Sequence, residues 1–169
     1  MSATTSLYPL AVGNAWTYKA ADGSTYVNEV TNFDAGSGRF TMVNSTAPRP
    51  VTVYVNDEGM FSDAYEAEKF VMSLPANAKV GDAWTVKFSA NGFENMLEMK
   101  VKEAGVSKEV GGKTFNDVSI VEAESKMFVN GNWMSINFFT QYHYANGIGL
   151  VLTTRSHGDN QPIVDYKLV

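Results

Sequence analysis

At 169 residues the chain has the size of one domain, and an apolar share of 44% gives it enough hydrophobic material for a sizeable core, which argues against intrinsic disorder. A net charge of −5 without any Lys/Arg cluster argues against nucleic acid or an anionic membrane surface as partner, and the absence of cysteine excludes disulfides, thiolate metal sites and Cys nucleophiles. No apolar run approaches the roughly 20 residues of a transmembrane helix.

Taken in chain order, Met1 to Ser6 has neither a charged nor an apolar signal region. It reads either as the start of the protein or as a polar leader left after removal of a signal peptide. The phrase Val12-Gly13-Asn14-Ala15-Trp16-Thr17-Tyr18-Lys19 opens the first strand. Turn pairs follow at Asp22-Gly23 and Gly36-Ser37-Gly38, where Gly supplies positive φ. Pro48 and Pro50 bracket an extended point, and the lightly charged run Val51 to Val55 is expected to be an edge strand. Asp57-Glu58-Gly59 is a hairpin tip. Asp63 to Phe70 is too short for a stable helix and reads as a turn or strand approach.

Alternation with period two then takes over. Trp84, Val86 and Phe88 share a face, as do Leu97, Met99 and Val101. The longest run places Met134, Ile136, Phe138, Thr140, Tyr142 and Tyr144 on one face. Ser135, Asn137, Gln141 and His143 fall on the other, so His143 is expected to be half-exposed. Ile163 to Val169 repeats the scheme with Val164, Tyr166 and Leu168. Turns at Asn91-Gly92, Gly111-Gly112, Asn130-Gly131, Asn146-Gly147 and Gly158-Asp159-Asn160 separate these runs. The expectation is an all-β chain, one domain over 1–169. Its antiparallel meander of about ten strands or more should curl into a half-barrel, a barrel or a sandwich.

The phrase at Val12 returns as Val80-Gly81-Asp82-Ala83-Trp84-Thr85-Val86-Lys87, identical at six of eight positions. Gly-Asx makes the turn, and Trp opens a strand on its core face. Two pseudo-equivalent halves, 7–73 and 74–169, are one reading of this echo. A turn-and-Trp device used twice is the other.

Tyr8-Pro9-Leu10 with Gly13-Asn14-Ala15-Trp16-Thr17-Tyr18 resembles the "PLxxGNxWTY" opening of a loose group of bacterial extracytoplasmic β domains, often lipoproteins, with no assigned activity. Gly112-Lys113-Thr114-Phe115-Asn116-Asp117-Val118 is similar, with one residue's difference in spacing, to a later Gly-x-Phe-x-x-Val step of that group. Tyr142-His143-Tyr144-Ala145-Asn146-Gly147-Ile148-Gly149-Leu150-Val151 resembles its closing "YYAxGVGLV" phrase. The resemblance implies an exported protein. More remotely it implies a curved half-barrel like those of LolA-type lipoprotein carriers. No lipobox cysteine is present.

Catalytic patterns are missing. The two histidines, His143 and His157, accompany no nucleophile elbow, and their spacing supports no metal site; His157 reads as a solvated turn residue. Glu66 and Glu68 could share a strand face, but no second acid completes a glycosidase pair. No cofactor motif occurs. What remains is methionine and aromatic content suited either to a core or to a pocket for a flexible apolar ligand. The sequence therefore suggests a non-enzymatic, extracytoplasmic binding or carrier domain. Its candidate ligand-binding residues are Phe88, Met99, Met134, Phe138, Tyr142 and Tyr144. The alternative is an envelope or surface component that recognises a protein partner through a sheet edge; oligomeric state is left open.

Overall fold

The structure, a computed structural model, describes residues 6–169; the reading of the N-terminal leader at residues 1–5 lies outside them. Twelve strands follow the alternation and the glycine turns: β1 Ala15–Lys19, β2 Thr25–Asp34, β3 Arg39–Asn44, β4 Val51–Val55, β5 Gly59–Ser62, β6 Val71–Pro75, β7 Ala83–Ala90, β8 Phe93–Val110, β9 Lys113–Val129, β10 Asn132–Ala145, β11 Gly149–Arg155 and β12 Asn160–Lys167. They form one sheet in the order β6-β5-β4-β3-β2-β1-β12-β11-β10-β9-β8-β7. Every neighbouring pair is antiparallel, and β1 and β12, distant in sequence, meet in the middle.

The two ends of the sheet, β6 and β7, curl round to face one another. The indole N–H of Trp84 on β7 donates to the carbonyl of Met72 on β6 at 3.0 Å. The barrel is thus nearly closed, with this seam in place of a twelfth ladder. The loop between β5 and β6 reinforces the seam. Tyr65 stacks on Phe88 with ring centroids 4.9 Å apart, and Glu66 Oε1 accepts the N–H of Ser89 at 2.7 Å. Asp63 to Phe70 is therefore an irregular bridge, with Glu68 at φ 63°, and Glu66 and Glu68 share no strand face. The expected edge strand Val51–Val55 is β4, an interior strand paired on both sides. Low charge there reflects burial between neighbours.

Inward-facing residues build the core: Trp16, Tyr18, Leu74, Val86, Val101 and Val121 are all buried. The halves differ in reach. Strands β8 to β10 run for 14 to 18 residues, against 4 to 10 in β1 to β6. Their far ends project past the facing half, which leaves Phe93, Phe128, Met134 and Ile136 exposed at two adjacent hairpin tips. A bulge between Ser135 and Phe138, with Asn137 at φ 54°, takes Ile136 out of the ladder.

His143 does not stand half-exposed on a wet face. It is 4% exposed, on the face of β10 opposite Tyr142 and Tyr144, and level with Ile120 and Leu152 on the flanking strands. Neither ring nitrogen has a hydrogen-bond partner among the described residues. Burial, helped by Lys108 and opposed by Glu103, pulls its pKa down to about 4. His157 remains exposed, with Phe138 4.8 Å from its ring.

Candidate functional site

The repeated phrase makes the same backbone device twice. Gly13 N–H donates to the Val30 carbonyl, and Val30 N–H returns to the Asn14 carbonyl; Gly81, Val101 and Asp82 repeat the pattern. Both glycines sit near φ +100°, at 100° and 96°, where a side chain would be strained. The first copy also positions a site. Asn14 Nδ2 donates to the Pro9 carbonyl at 2.8 Å and so ties down the segment that carries Tyr8. Tyr8 then packs on Trp16, with centroids 4.9 Å apart, and meets Tyr144 edge-on at 6.0 Å.

These rings form one wall of a cavity of about 300 Å³ inside the barrel. Tyr142, Tyr144 and Leu150 come from β10 and β11. Met42, Val51, Val53 and Met60 come from β3 to β5 opposite. Asn28 and Asn44, directly paired across β2 and β3, lie toward the rim with Ala47 and Ala64. Ser62 and Ser73 meet at 3.2 Å across β5 and β6. The lining is mostly apolar, and none of the described residues that line the cavity is charged. Burial pushes the phenols of Tyr8 and Tyr144 far up in pKa, so both stay neutral hydroxyls at any physiological pH. Tyr8 donates weakly to Met42 Sδ at 3.7 Å. The Tyr144 hydroxyl makes no hydrogen bond with any described residue. Such a chamber can hold an apolar body and offer it a few neutral polar contacts.

Of the six residues expected to contact a ligand, the structure brings Tyr142 and Tyr144 to the cavity. The other four lie elsewhere. Met99 is buried in the core, and Phe88 is stacked on Tyr65 at the seam. Phe138 packs beside His157, and Met134 is 53% exposed because its hairpin outruns the opposite wall. Of the other lining residues, Met42 and Met60 belong to the methionine content that the sequence offered for either a core or a pocket, and Tyr8 to the Tyr8-Pro9-Leu10 landmark held by Asn14; none of the three was singled out as a ligand contact.

A second hollow of about 300 Å³ lies between Glu122, Gln141, Thr154 and Arg155. Its charges are already matched. Glu122 accepts from Gln141 and lies near Lys102, while Arg155 bonds Asp159 at 2.7 Å.

A twelve-stranded, nearly closed meander barrel with its first and last strands side by side defines the structural class. No known family model and no curated protein matches the sequence. Two solved structures share the fold. One is a "putative exported protein with YmcC-like fold" from Bacteroides fragilis, with a TM-score of 0.58 and 13% identity, matched over 95% of this chain and 98% of its own. The other is a "putative lipoprotein" from Parabacteroides distasonis, with a TM-score of 0.59 and 15% identity over the same shares of the two chains. At these identities the likeness is one of fold.

Proposed function

We propose that the protein is an exported, non-catalytic binding protein that holds an apolar or lipid-like small molecule inside its barrel. The observation that carries this reading is the uncharged cavity walled by Met42, Met60, Tyr142 and Tyr144. Its volume lies at the lower end of the range for small-molecule sites, roughly 300–1,000 Å³. Methionine and tyrosine suit such a wall, because the first adapts to irregular apolar shapes and the second adds a rigid ring with one polar atom. Export is supported by fold likeness to proteins described as exported or as lipoproteins. The edge-pairing alternative draws less support, because β6 and β7 are turned toward each other and bridged by Trp84 and Glu66.

Native mass spectrometry on protein purified gently from its own host tests the reading. A small-molecule adduct that leaves on activation is expected. A bare mass, together with no uptake of the neutral lipophilic dye N-phenyl-1-naphthylamine, overturns it.

A further inference from the structure

The ligand's head group can be specified further, and this step rests on the cavity being a binding site. We propose that the cavity selects molecules with an apolar body and one neutral hydrogen-bonding group, a hydroxyl or carbonyl, which lies inward against the hydroxyl of Tyr144.

Three observations converge. First, Tyr144 is 6% exposed and lines the cavity, yet its hydroxyl bonds no described residue. Its oxygen is also not sealed in protein as the His143 nitrogens are, so the free valence opens on the cavity. Second, the neighbouring phenol is used differently: Tyr18 donates to the Leu150 carbonyl at 2.7 Å. Tyr144 is thus left as an uncommitted donor and acceptor. Third, among the described residues no cationic or anionic side chain lines the chamber. A carboxylate, phosphate or ammonium drawn inside would stand unpaired, which is strongly disfavoured. Arg49, near the rim, is already engaged. It contacts the Asp63 carboxylate at 3.4 Å and donates to the Asp63 and Ala64 carbonyls.

The test is displacement of N-phenyl-1-naphthylamine by decane, 1-decanol and decanoate at neutral pH, with wild-type protein and with Tyr144→Phe. The substitution removes one oxygen that has no partner among the described residues, so the fold is retained, and a melting curve checks this. In wild type, 1-decanol is expected to displace the dye about tenfold better than decanoate. Tyr144→Phe is expected to weaken 1-decanol by about fivefold to tenfold while decane is unchanged. Equal 1-decanol affinity in the two proteins, or tighter decanoate, overturns the head-group assignment and leaves the apolar binding site standing if decane still binds. Failure of the dye and of all three displacers to bind overturns the binding site itself, and the assignment with it.

Discussion

Val12–Lys19 and Val80–Lys87 are nearly the same sequence and fold into the same turn and strand, yet they stand in different places. The first copy forms β1, in the middle of the sheet, with a ladder on each side. The second forms β7, paired on one side only. Trp16 is fully buried and donates to the Ile148 carbonyl at 2.6 Å, inside the turn between β10 and β11. Trp84 is partly exposed and reaches across the seam to Met72. Of the two differences between the copies, Tyr18 against Val86 and Asn14 against Asp82, the second follows the setting. Asn14 is 2% exposed and uses both ends of its amide: Nδ2 donates to the Pro9 carbonyl, and Oδ1 accepts the Val169 N–H at 2.8 Å. A carboxylate could accept but not donate. Asp82 need only accept, from the Lys79 N–H at 2.9 Å, and stays near water. One local device therefore serves as a buried clasp at the closed junction and as a latch at the open seam.

Substitutions can break this asymmetry in graded steps. Trp16→Ala should cost about 3–5 kcal/mol in urea unfolding, whereas Trp84→Ala should cost less than half as much. Equal losses would mean that the seam is as tightly closed as the β1–β12 junction. Acid should strike the closed side next, because His143 lies on the strand that leads into the turn receiving Trp16. Its folded pKa, about 4, is below the ordinary 6.5, so the unfolded chain binds the extra proton between these values. Stability should then be intact above pH 6.5 and fall as pH drops toward 4, by at most on the order of 3 kcal/mol. His143→Leu should flatten that limb, as read by denaturant midpoints across the range.

Asn14→Asp should destabilise by about 2 kcal/mol, since it places a carboxylate against the Pro9 carbonyl in a buried site. Asp82→Asn should change stability by less than about 0.5 kcal/mol. The pair, measured side by side, sharpens the contrast most directly. The most local effect is at the seam. Trp84→Phe keeps the ring but loses the bond to Met72, and should raise hydrogen exchange in β6 while global stability falls by only about 1 kcal/mol.

Much of this architecture could be read from residue pattern because strands with one wet face advertise themselves. Trp84 to Phe88 and Met96 to Lys102 became β7 and the inner part of β8, as alternation requires. Alternation, however, reports only which face a residue takes. Met134 shares a face with Tyr142 and Tyr144, but nothing opposite covers it, because cover depends on the lengths of strands remote in sequence. His143 failed for the mirror-image reason: its face looked polar in the chain and is packed in the fold. The cavity was only half legible. Tyr142 and Tyr144 lie in a clean run, whereas their partners come one or two at a time from short strands β2 to β6 and from Tyr8, ahead of the first strand. Strand order brings them together, and no local spacing records it.

The junction of β1 with β12 also sets a timetable. Strands β2 to β6 and β7 to β11 can zip up by hairpin closure, which needs only near neighbours and is fast. β1 gains its second flank only when β12 arrives, and the Asn14 clasp closes on Val169, 155 residues further along. During vectorial synthesis the strand at the centre of the finished sheet is the last to be completed. Until then Trp16 and Tyr18 lack their carbonyl acceptors at Ile148 and Leu150. The same arrangement makes the chain nearly circular in space. A permutant cut between β6 and β7 and joined from end to beginning would turn the slow, long-range ladder into a hairpin and should fold faster to the same barrel.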